Sequence, residues 1–132
     1  MKALLVAALI ALAPAAALAR PGLDAVIGPD GVTITDSEKP VLFYRTKPIN
    51  PSAEPGRLNY VHPLYAPDGT ILTEDRPTVL PEQRGVFWGW RQVRLGGDLV
   101  ADGWALKGLT YFVKQTNFDG EAGGAGVLTL QV

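Results

Sequence analysis

Residues 60–90 read YVHPLYAPDGTILTEDRPTVLPEQRGVFWGW, and this stretch decides the fold. Its apolar runs are short, and each is cut off by Pro, Gly or a charged cluster. Pro67-Asp68-Gly69 is a turn with a mechanism, because Pro fixes φ and Gly tolerates positive φ. No apolar set recurs at the 3.6-residue spacing of an amphipathic helix. The stretch also carries the sole histidine, His62, and two of the three tryptophans, Trp88 and Trp90.

Working outward, the same grammar holds on both sides. Fifteen glycines and 11 prolines punctuate the chain, and the runs between them favour Val, Ile, Leu, Thr and aromatics. Residues 25–28 and 32–35 flank Pro29-Asp30-Gly31 as a hairpin, and residues 40–45 form a compact apolar strand. Three prolines make residues 46–56 a loop. Residues 57–62 read as a strand that Pro63 limits in a sheet interior. The polar segment 74–84 is an excursion from the sheet, of the kind that often carries function. Residues 85–95 are the longest strand candidate, returned by Gly96-Gly97 into 98–101. Residues 109–118 and 127–132 alternate as strands around a Gly-rich loop. The expected class is all-β, an antiparallel β-sandwich, and the last alternating run ends without a turn or polar tail, as in an incomplete sheet.

At the other end, residues 1–19 read MKALLVAALIALAPAAALA. One lysine, a short apolar run, a proline and small residues before Arg20 make a cleavable signal peptide. Its apolar run is shorter than the roughly 20 residues of a spanning helix. The domain expected to remain is 20–132, periplasmic or secreted. The formal net charge of the whole chain is −1, so no basic excess exists to neutralise phosphates, and nucleic acid is not an expected partner. No cysteine is present, which excludes thiol nucleophiles, disulfides and thiolate metal sites.

One histidine per chain rules out a multi-histidine metal centre, so no metal and no cofactor is expected. His62 precedes Pro63 and serves equally as a structural donor at a strand end or as a general acid/base. Glu74 and Asp75 point to opposite faces of an extended chain, so only one of them can turn toward a site shared with Glu82. Trp88 and Trp90, two apart, share a face in a strand: inward they are core, outward an aromatic platform beside Arg84, Arg91 and Gln92. No phosphate loop, dinucleotide fingerprint or nucleophile elbow occurs.

An ordered set of motifs resembles one known family. It comprises Tyr60-Val61-His62-Pro63-Leu64-Tyr65, Pro67-Asp68-Gly69, Thr73-Glu74-Asp75, Gly85-Val86-Phe87-Trp88 with Trp90, and Asp102-Gly103-Trp104. These resemble the N-terminal part of the bacterial family of unknown function labelled "methane oxygenase PmoA". The resemblance spans residues 28–132 and implies a partial supersandwich of the galactose-mutarotase kind, with a link to carbohydrate use. Relatives carry a histidine-rich run of the form Asp-His-Pro-His-His-Arg-Gly before the glycine. Here residues 79–85 read Val-Leu-Pro-Glu-Gln-Arg-Gly, so that chemistry is absent.

Three functional expectations follow. The first is an exported, truncated relative without enzymatic activity, weakly binding a saccharide-like molecule through Arg84, Trp88, Trp90 and His62. The second is a carbohydrate-active hydrolase or epimerase in which His62 and Glu82 or Asp75 form the acid/base pair. The third is an interaction module that associates through open sheet edges.

Overall fold

In a computed structural model, residues 22–49, 56–120 and 125–132 are described, and every regular element among them is a strand. The expected signal peptide, part of the loop after residue 46 and part of the Gly-rich loop lie outside the described residues. The strands are β1 (Leu23–Ile27), β2 (Gly31–Asp36), β3 (Lys39–Arg45), β4 (Tyr60–Leu64), β5 (Val86–Phe87), β6 (Val93–Leu95), β7 (Asp98–Ala101), β8 (Gln115–Gly120) and β9 (Gly126–Gln131). They form a five-stranded sheet in the order β1-β2-β3-β4-β5 and two separate hairpins, β6–β7 and β8–β9. All pairings are antiparallel. The all-β, sandwich-like class read from the sequence is the class observed.

Local turn chemistry explains the hairpins. Gly28 N–H donates to the Gly31 carbonyl at 2.8 Å, closing the β1–β2 turn over Pro29 and Asp30. At Pro67-Asp68-Gly69, the Ala66 N–H donates to the Thr70 carbonyl at 2.8 Å. Asp68 Oδ1 accepts the Thr70 N–H at 2.9 Å, and this bond holds the carboxyl below the usual range. Gly96 and Gly97 supply φ of 60° and 98° between β6 and β7, a turn that a Cβ would strain.

Two expected strands differ. The run 85–95 is interrupted, with β5 covering only two residues and residues 88–92 irregular before β6. The reason is a competing backbone partner: Gly103 N–H donates to the Trp90 carbonyl at 2.6 Å, so this segment bonds to a loop and not to a strand. The run 109–118 becomes regular only from Gln115, where the β9 ladder begins. Conversely, β4 runs on through Pro63 to Leu64, past the expected limit.

The core is small and lies at the centre of the five-stranded sheet. Val32 and Ile34, two apart on β2, share its inward face, and Leu58 and Tyr60 join them, with Ala101 and Leu106 buried beyond. Many large apolar side chains stay exposed, including Val26 and Ile27 on the edge strand β1 and Val86 on the edge strand β5.

Candidate functional site

The excursion begins after Thr73, beyond β4 and the turn that follows it, and returns at Gly85, and its neck is closed by backbone bonds. Gly85 N–H donates to the Glu74 carbonyl at 2.8 Å and Arg76 N–H to the Gln83 carbonyl at 3.0 Å. Gly85 has φ of 50°, and a Cβ there would lie 1.9 Å from the Val61 carbonyl oxygen. Only glycine lets the returning chain pair this closely with β4.

Two arginines then tie the excursion to its surroundings. Arg57 donates to the Pro81 carbonyl at 2.6 Å, the Gln83 carbonyl at 2.7 Å and Asp75 Oδ1 at 2.8 Å. Asp75 Oδ2 accepts the Tyr60 hydroxyl at 2.8 Å. Burial, then the hydrogen bond to Asp75 and its charge, push the Tyr60 phenol up to about 12. Arg84 is 1% exposed and donates to the carbonyls of Glu82 (3.1 Å), Trp104 (3.1 Å) and Gly103 (3.0 Å). Its guanidinium carbon stands 3.9 Å from the centre of the Phe87 ring, which tilts against Trp104 at 5.2 Å, and Arg91 covers Trp104 at 5.5 Å. Desolvation lowers the Arg84 pKa. The carbonyls and the ring replace the water lost at its two terminal nitrogens, while the buried Nε has no partner among the described residues.

The acid/base side chains proposed from the sequence are held by different partners. His62 is half-buried, and its Nδ1 lies 2.9 Å from Thr73 Oγ1, which accepts the Leu64 N–H at 3.0 Å. Asp75 is engaged by Arg57 and Tyr60. Glu82 is exposed and lines a cleft with Arg91, Gln92 and Asp102, to which His62 does not contribute. No hydrogen bond joins His62 to Glu82 or Asp75 among the described residues. Arg84 was expected at a ligand; buried and spent on three carbonyls, it braces loops instead. No group of three or more metal-ligating side chains occurs among the described residues.

Trp88 and Trp90 are brought together and face outward. They are 75% and 64% exposed, with ring centres 6.4 Å apart at a 60° tilt. Trp88 forms one wall of an open cleft of about 520 Å³, with Tyr111, Phe112, Asn59, Thr110 and Lys114 around it. The Tyr44 hydroxyl donates to Asn59 Oδ1, leaving the Asn59 amide NH₂ as a donor. Aromatic faces flanked by an amide, a hydroxyl and an ammonium suit a ligand with apolar faces and polar edges. The sequence reading missed Asn59 and residues 110–114. Their signal was the adjacent aromatics Tyr111 and Phe112 between Thr110 and Lys114, which alternation alone assigned to a strand.

Residues 31–125 match the family of unknown function DUF6807, most of the chain. The chain belongs to that family. The matched range of DUF6807 contains the excursion, both arginines, and all the cleft residues named above. No curated protein and no solved structure matches the chain.

Proposed function

We propose that the protein is an exported, non-catalytic binding domain whose cleft at Trp88 holds a saccharide. The observation that carries this reading is the outward position of Trp88 on a cleft shared with Tyr111, Phe112, Asn59 and Lys114. A pyranose ring has one C–H face that packs on an indole and a rim of hydroxyls that exchange hydrogen bonds with amides and ammonium groups. The link to carbohydrate use comes from the resemblance of residues 60–104 to the PmoA-labelled family, and the DUF6807 match, a family of unknown function, adds no ligand to it. Residues 1–19 support export. Binding without catalysis fits the engagement of Asp75 by Arg57 and Tyr60 and the absence of His62 from the lining of the Glu82 cleft.

Purified residues 20–132 presented to an array of neutral and acidic glycans test the proposal. Saturable retention of a saccharide that Trp88→Ala and Phe112→Ala abolish supports it. Retention of none, or unchanged retention by both variants, overturns it.

A further inference from the structure

A second cleft, about 420 Å³, is bordered by the residues that follow the tryptophans, Arg91 and Gln92. It is lined by Leu80, Glu82, Arg91, Gln92, Asp102 and Trp104, among others. One short stretch serves both hollows. Trp88 walls the first cleft and Arg91 the second, and Trp90, between them in sequence, is exposed with its ring centre 6.4 Å from that of Trp88. The backbone under this stretch is fixed, because the Trp90 carbonyl accepts the Gly103 N–H and Arg84 holds the Gly103 carbonyl.

We infer that the two clefts are subsites of one strip, and that the ligand is an oligosaccharide lying along residues 88–91. This inference rests on the saccharide reading of the Trp88 cleft and extends it to the length of the ligand. The second cleft has the chemistry that a further sugar unit needs. Arg91 and Gln92 offer N–H donors, and Glu82 and Asp102 offer carboxylate acceptors for hydroxyl protons. Asp102 Oδ1 accepts the N–H groups of Trp104 (2.8 Å) and Ala105 (2.9 Å), which fixes its carboxylate and leaves Oδ2 without a partner among the described residues. The Arg91 guanidinium stands 5.5 Å from the centre of the Trp104 ring, a cation–π contact that favours its place at the cleft. Donors and acceptors in one hollow match vicinal hydroxyls better than they match an ion of either sign.

The experiment compares a mono-, di-, tri- and tetrasaccharide of one series by calorimetric titration, using the wild type, Glu82→Gln and Arg91→Ala. Both substituted side chains are exposed, and circular dichroism confirms folding. Affinity is expected to rise about tenfold or more from the shortest sugar to the tetrasaccharide, since a second subsite adds its contacts without a second loss of freedom. Each substitution is expected to remove most of that rise while leaving monosaccharide affinity unchanged. Monosaccharide binding with no gain on lengthening overturns this inference and leaves the Trp88 cleft standing, as does a length gain that both variants retain. Failure of every sugar to bind overturns both.

Discussion

Arg84 Nη2 donates to the Gly103 carbonyl at 3.0 Å inside the protein, joining the excursion after β4 to the loop that carries Trp104. The same Gly103 gives its N–H to the Trp90 carbonyl, so one buried guanidinium sets the backbone on which the exposed tryptophans stand. Three carbonyls and the Phe87 ring offset much of the hydration this charged group has lost, with only its Nε left without a partner among the described residues.

Arg84→Met keeps much of the volume and removes every donor. The carbonyls of Glu82, Gly103 and Trp104 then lose their partner, and unfolding in urea should show a loss of about 1–3 kcal/mol for each carbonyl left buried and unsatisfied. Arg84→Lys should recover less than half of that, because an ammonium cannot reproduce the planar fork. Equal stability of Arg84→Met and wild type would contradict the bracing role.

Gly85→Ala tests the close approach of the returning chain to β4. The added methyl would lie 1.9 Å from the Val61 carbonyl oxygen at a φ of 50°. Positive φ alone costs an alanine about 1–2 kcal/mol, and the overlap adds to it. Hydrogen exchange should show faster exchange at Val61 and Phe87 than at the β1–β2 pair.

Tyr60 makes stability fall on the alkaline side. Its folded pKa of about 12 lies above the ordinary 10.0, so the native state keeps a proton that the unfolded chain gives up. The contribution is whole below pH 10 and is lost as pH rises to about 12, a total of about 3 kcal/mol for a shift of this size. Tyr60→Phe should flatten this part of the pH profile and cost about 1–2 kcal/mol at neutral pH through the lost bond to Asp75. Denaturation midpoints between pH 8 and pH 12, on the order of one per half unit, read both effects.

What was legible in the sequence is what depends on near neighbours. The turns at Pro67-Asp68-Gly69 and Gly96-Gly97 were readable because glycine supplies their positive φ, and the turn over Pro29 and Asp30 because proline fixes its φ. The β class followed from the short apolar runs between them. The break after Phe87 was not readable, since it depends on Gly103, which is far along the chain and competes for the Trp90 carbonyl. Arg84 in a polar segment looks like a surface side chain until carbonyls from two loops converge on it. Likewise the cleft unites Asn59, Trp88 and residues 110–114, which no spacing rule connects. Alternation left Trp88 and Trp90 free to be core or platform, and the loss of strand geometry at residues 88–92 turned both outward.

The most direct test of saccharide binding is a titration followed by tryptophan emission, with the wild type and Trp88→Ala compared on the glycan that the array retains best. Trp88 is 75% exposed at the cleft, so a sugar stacked on it should shift the emission to shorter wavelength with a saturable dependence on concentration. The account predicts that shift in the wild type and its loss in Trp88→Ala, although Trp90 and Trp104 still report. An unchanged wild-type spectrum at saturating glycan, or an equal shift in the variant, would contradict it.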